Sequence, residues 1–134
     1  IGLARGALED ATAYAQERRQ FGQAIGDFQN TRFRLARMAT DIEAARQLMY
    51  FVADEIDQKR RCDKEAAMVK LFASEMAERV TSEALQVFGG AGYTTLHAVE
   101  RYWRDARLTK IFEGTSEIQQ RIISDHLLGR IKGA

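Results

Sequence analysis

Glu113 lies in the run Ile111-Phe112-Glu113-Gly114-Thr115, a carboxylate between an apolar pair and a glycine, immediately before a helix start. A carboxylate so placed can serve as a general base if its apolar neighbours exclude water and the glycine lets a ligand approach the backbone. Taken alone, the same residue is a solvated turn glutamate. Other reactive side chains are sparse. Cys62 is the single cysteine, so it forms no intramolecular disulfide and has no cysteine companion for a zinc cluster. It reads as an unreactive thiol near a helix end. His97 and His126 stand at no metal-ligand spacing with carboxylates or thiols.

The elements that must carry Glu113 are helical. With 134 residues, 46% of them apolar, the chain has the size and composition of one domain with a continuous core. Its net charge of +1 provides no broad field for a nucleic acid or an anionic membrane, and no stretch has the length and apolarity of a membrane span. Leu3, Ala7, Ala11 and Tyr14 share one helical face, predicting a helix to about Arg19, after which Gly22 and Gly26 mark a loop. From Phe28 to about Gln58, the series Thr31, Leu35, Met38, Ile42, Ala45, Met49, Val52, Ile56 alternates steps of four and three, a near-heptad seam. Ala66, Val69, Ala73, Met76, Val80, Ala84 and Val87 repeat that spacing between about Asp63 and Phe88. A short helix over about Leu96 to Leu108 and a last one from Ser116 complete the set. Ser116 followed by Gln119 reads as a capping box, with Glu117 at the positive end of the helix dipole. No strand alternation is present, so the fold class is all-α, an up-and-down helical bundle over 1–134.

Four motifs in order resemble the C-terminal helical domain of the acyl-CoA dehydrogenase family, which uses FAD. They are Tyr14-Ala15-Gln16-Glu17-Arg18-Arg19-Gln20-Phe21-Gly22 with Gln29, then Gln86-Val87-Phe88-Gly89-Gly90-Ala91-Gly92-Tyr93, then Tyr102-Trp103-Arg104-Asp105-Ala106-Arg107, then Phe112-Glu113-Gly114-Thr115-Ser116-Glu117-Ile118-Gln119. The resemblance implies that Glu113 abstracts the α-proton of an acyl-CoA thioester while the β-hydride passes to the flavin, and that Gly114 contacts substrate. It implies flavin contacts at Arg18, Gln29, Gln86, Gly89, Gly90, Thr115, Ser116 and Glu117, several of them across a subunit boundary. Arg18 suits a pyrophosphate through paired donors, and the double glycine admits a cofactor close to backbone amides. Each residue also has a plain structural reading. Arg18 and Arg19 suit a helix C-terminus, Gly89 and Gly90 a C-cap and turn, and Ser116 and Glu117 a helix start. Arg104, Asp105 and Arg107 read as an ion-pair network near the active loop.

The same resemblance implies a homo-oligomer, dimer or tetramer, with electron-transfer flavoprotein as electron acceptor, in a bacterial cytoplasm or a mitochondrial matrix. It also implies that this chain is one part of a longer enzyme, whose N-terminal helical and middle β-domains supply much of the flavin and CoA site. Two departures stand out: Ala24 where a proline is common after the Phe-Gly pair, and Phe112 where a tyrosine often precedes the base. Rival readings on the same scaffold are a flavin oxidase or monooxygenase, against which the intact Glu-Gly-Thr turn argues, and a non-catalytic assembly bundle, for which the long seam suffices.

Overall fold

Among the described residues five α-helices carry the chain: α1 (Gly2–Glu17), α2 (Gln29–Asp57), α3 (Asp63–Phe88), α4 (Val99–Leu108) and α5 (Ser116–Leu128). The computed structural model describes residues 1–130. The architecture is the all-α up-and-down bundle that the periodicities predict. α3 is its central member and packs against each of the other four helices. Small residues at Ala67, Ala77 and Ala84 let neighbouring backbones approach, while Met76, Val80 and Phe88 fill the space between.

Side-chain pairs fix the directions. Arg34 meets Glu83 and Arg79 meets Asp41, so α2 runs antiparallel to α3. Leu3 shares a groove with Ala73 and Ala77 while Tyr14 stacks on Phe88, so α1 runs parallel to it. Lys110 meets Glu78 and Gly114 meets Lys70, so α4 and then α5 descend α3 in one direction. The fourth arm of the bundle is therefore a single path in two pieces, interrupted over 109–115.

The core follows the expected seam on α2, where Met38, Ile42, Ala45 and Val52 are buried. Ile56, at the far end of that seam, is 58% exposed. On α1 the buried face is Ala4, Ala7, Ala11 and Ala15, with Leu3 and Tyr14 at its edge. On α3, Ala67 is buried and Ala66 is exposed, because a helix surrounded by four others buries more than one stripe.

Two boundaries and one helix cap differ from the sequence reading. α1 ends at Glu17, and Arg19–Gln20 (β1) pairs antiparallel with Gln23–Ala24 (β2). Phe21 and Gly22 form the turn at φ 54° and 84°, the left-handed pair that a two-residue hairpin requires. The Ile25 amide closes the hairpin on the Arg18 carbonyl at 2.8 Å. Strands of two residues show no alternation in sequence. α4 begins at Val99, not Leu96, since the Thr94 amide and hydroxyl both bond the Ala91 carbonyl and turn the chain there. The third difference, at the start of α5, belongs to the site.

Candidate active site

The turn that holds Glu113 is assembled from both helix ends. As α4 runs out, the Ile111 and Phe112 amides bond the Leu108 carbonyl at 2.9 and 3.2 Å. Glu113 and Gly114 then take left-handed backbone, φ 51° and 93°. Thr115 is extended and caps α5, its hydroxyl accepting the Ile118 amide at 3.4 Å. The cap thus lies one residue before Ser116, and the expected capping box is absent. Two bonds explain the shift. The Ser116 amide is already committed to the Lys110 carbonyl at 3.1 Å, and Gln119 turns its Nε2 to the Gly114 carbonyl at 3.3 Å. A Cβ on Gly114 would stand 2.5 Å from that Nε2. Ser116 Oγ is left buried with no hydrogen-bond partner among the described residues. Glu117, in the first turn, has its carboxyl held below the usual value by its own backbone N–H at the helix start, then by the Thr115 hydroxyl, with smaller help from Lys110 and Arg107.

Glu113 opens on a groove of about 460 Å³ lined by Leu3, Met49, Val69, Ala73 and Phe112. Lys70 borders the same groove and donates its Nζ to the Gly114 carbonyl. The water exclusion that a basic carboxylate needs is not complete within this chain. Glu113 is exposed, and Ile111 and Phe112 are 53% and 44% exposed. Of the two, Phe112 lines the groove beside Glu113.

Gly114, Thr115, Ser116 and Glu117 lie with Glu113, whereas Arg18, Gln29, Gln86, Gly89 and Gly90 gather at the other end of α3. Gln86 is sixteen helical positions beyond Lys70, roughly 24 Å at 1.5 Å per residue. Tyr14 and Phe88 hold the ends of α1 and α3 together there, with ring centroids 4.1 Å apart. Arg18, Gln29 and Gln86 are exposed, and among the described residues their side chains have no hydrogen-bond or ion-pair partner. A Cβ on Gly89 or Gly90 would meet nothing within 4 Å. Free donors beside an open glycine pair fit a phosphate-bearing, amide-edged ligand such as FAD. The two clusters are thus separated by most of the length of α3.

The expected Arg104–Asp105–Arg107 network does not form. Arg104 pairs with Glu100 one turn earlier, Arg107 stands 3.6 Å from Glu78 on α3, and among the described residues no ion pair reaches Asp105. The residues that sequence reasoning missed are Lys70 and Glu78, which sit at ordinary polar helical positions where nothing local signals that they meet Gly114 and Lys110 far along the chain. Gln119, read as the capping-box partner of Ser116, instead bonds the Gly114 carbonyl.

Residues 1–128 match the family described as acyl-CoA dehydrogenase, C-terminal domain. A caffeyl-CoA reductase-Etf complex subunit of Acetobacterium woodii is 48% identical over 128 residues, which cover 96% of this chain and 34% of that protein. The butyryl-CoA dehydrogenase of Megasphaera elsdenii superposes with a TM-score of 0.93 at 44% identity, over 95% of this chain and 33% of that one. PigA in its FAD complex superposes at 0.88 with 37% identity, over 94% and 33%. The chain spans about a third of the length of the curated relatives it matches. By these matches and the shared bundle, the chain belongs to the acyl-CoA dehydrogenase family, as its C-terminal helical domain.

Proposed function

We propose that this chain is the base-bearing domain of an FAD-dependent acyl-CoA dehydrogenase, in which Glu113 removes the α-proton of an acyl-CoA thioester as the α,β-double bond forms. The observation that carries the reading is Glu113 held in left-handed backbone at the mouth of an apolar groove. A thioester α-proton is weakly acidic and an ordinary carboxylate is a poor base for it, so the environment must raise the carboxylate's proton affinity. An acyl chain lying along Leu3, Met49, Val69 and Phe112 would displace water from Glu113 and do so only with substrate in place. Gly114, whose missing side chain makes room for the Gln119 amide, would present its backbone to the thioester beside the base. Bound FAD supplies the acceptor for the β-hydride. In this reading Arg18, Gln29 and Gln86, with the Gly89-Gly90 turn, hold its polar and phosphate parts, and Thr115, Ser116 and Glu117 meet it near the base; the exposed, unpartnered side chains of the first three among the described residues support that assignment. The reading includes the additional domains that would complete the pocket, a homo-oligomer that brings the two clusters together, and electron-transfer flavoprotein as the acceptor, a partner that the name of the Acetobacterium relative also mentions.

That relative's name favours a second reading of the same site, reduction of an enoyl-CoA. In that direction Glu113 returns a proton to the α-carbon while hydride enters at the β-carbon. One experiment separates them. In the complete flavoprotein containing this chain, anaerobic bleaching of the flavin by saturated acyl-CoAs supports dehydrogenation, and reoxidation of reduced flavin by enoyl-CoAs with no bleaching supports reduction. Glu113→Gln keeps the shape and loses the proton acceptor, so the flavin stays bound and its reduction nearly stops. Retention of more than about a tenth of the rate, roughly 1.4 kcal/mol of barrier, removes Glu113 from the role.

A further inference from the structure

The turn around Glu113 is held in an unfavourable backbone. A glutamate at φ 51° followed by a glycine at 93° persists only where its surroundings dictate it. Local bonds fix the two shoulders, Phe112 to Leu108 on one side and Ser116 to Lys110 on the other. The apex depends on one carbonyl, that of Gly114. It accepts from Gln119 within the same segment and from Lys70 on α3. Among the described residues, Lys70 is the only side chain from outside 108–119 that hydrogen-bonds the backbone of this turn.

We propose that Lys70 is a positioning residue for Glu113: its ammonium fixes the Gly114 carbonyl and thereby the direction in which the neighbouring carboxylate enters the groove. The proposal rests on Glu113 being the base. Lys70 is half buried, it makes no ion pair among the described residues, and a bond from a cation to a carbonyl is stronger than one from a neutral donor. It stands on the helix that every other helix packs against, so its anchor does not move independently of the bundle. Loss of the Lys70 bond frees the peptide plane after Gly114 to turn about ψ of Gly114 and φ of Thr115, and with that anchor gone nothing outside the segment holds the Glu113–Gly114 pair in its left-handed backbone. The carboxylate then swings away from the groove that it shares with Lys70. A base displaced by about 1 Å costs on the order of a hundredfold in rate.

The test compares Lys70→Met, Lys70→Arg and Glu113→Gln in the complete flavoprotein containing this chain, using flavin reduction by an acyl-CoA and amide hydrogen exchange. Lys70→Met is expected to slow reduction by on the order of 10- to 100-fold while the half-saturating substrate concentration stays within about twofold, and Lys70→Arg to recover most of the rate. In Lys70→Met the Ser116 amide is expected to exchange about tenfold faster, with the Met38–Ala45 amides of α2 unchanged. Wild-type reduction and wild-type exchange at Ser116 in Lys70→Met overturn the proposal, as does an acceleration spread equally into α2, which makes Lys70 a general prop. Glu113→Gln separates the two ideas. Full activity in that variant defeats the base assignment, whereas exchange at Ser116 still reports whether Lys70 holds the turn.

Discussion

Glu78 on α3 accepts from Lys110 Nζ at 2.8 Å, while Arg107 Nε stands 3.6 Å from its other carboxylate oxygen. One acid thus gathers the end of α4 as the chain enters the Glu113 turn. The side chains of Glu78 and Lys110 are 28% and 25% exposed, so solvent weakens the pair without abolishing it. A double-mutant cycle with Glu78→Ala and Lys110→Ala should give a coupling of about 1 kcal/mol in urea unfolding, clearly reduced at about 1 M salt. A coupling indistinguishable from zero at low salt would show that the contact does not bear on stability.

Ser116 makes the opposite prediction. Its hydroxyl is buried with no partner among the described residues, a state that costs on the order of 1 kcal/mol or more. Ser116→Ala should therefore leave stability unchanged or raise it by about 1 kcal/mol. A loss of that size, measured by the same unfolding experiment, would mean that the hydroxyl has a partner in solution.

Glu117 sets a pH dependence. Its carboxyl is held below a glutamate's ordinary value of 4.5 by its own backbone N–H, by Thr115, and by Lys110 and Arg107. A group depressed on folding contributes stability above the unfolded value, and the contribution is lost as pH falls through the folded one. The wild-type unfolding midpoint should thus fall more steeply than that of Glu117→Gln between about pH 5 and pH 3, and the two curves should converge in acid. Parallel curves would remove Glu117 from the acid response.

The outer face of α2 displays Phe33, Tyr50 and Phe51, each more than half exposed, and α4 displays Trp103 and Leu108. Such surfaces are ordinarily covered. The isolated chain should scatter light as a dimer or larger rather than as a 15.2 kDa monomer, and should bind FAD more weakly than about micromolar, because the two candidate flavin clusters lie apart on one copy. A strict monomer contradicts the first expectation, and submicromolar binding contradicts the second.

Much of this bundle was legible because long amphipathic helices write their burial into every third and fourth residue. The bounds of α3, Asp63 to Phe88, and the α2 seam through Met38, Ile42 and Ala45 came from that rule. Short-range geometry was harder to read. Thr115 and Ser116 are both good caps, and the choice between them was made by Gln119 turning toward Gly114 rather than toward the Ser116 amide. The Arg19–Ala24 hairpin is too short to alternate. Glu113 and the glycine pair were found through motif order, while Lys70 and Glu78 were invisible because their partners lie 44 and 32 residues away.

The central helix also acts as a ruler. Lys70, Glu78 and Gln86 are marks eight residues apart on one rigid rod, the first two addressing the Glu113 turn and the third the distant Gly89-Gly90 turn. Inserting or deleting one residue between them would slide one mark past another by about 1.5 Å and rotate it by about 100°. Length changes should therefore be tolerated in the connections around 58–62 and 94–98 and rejected within 70–86, so that α3 keeps one length among active relatives whatever their loops do.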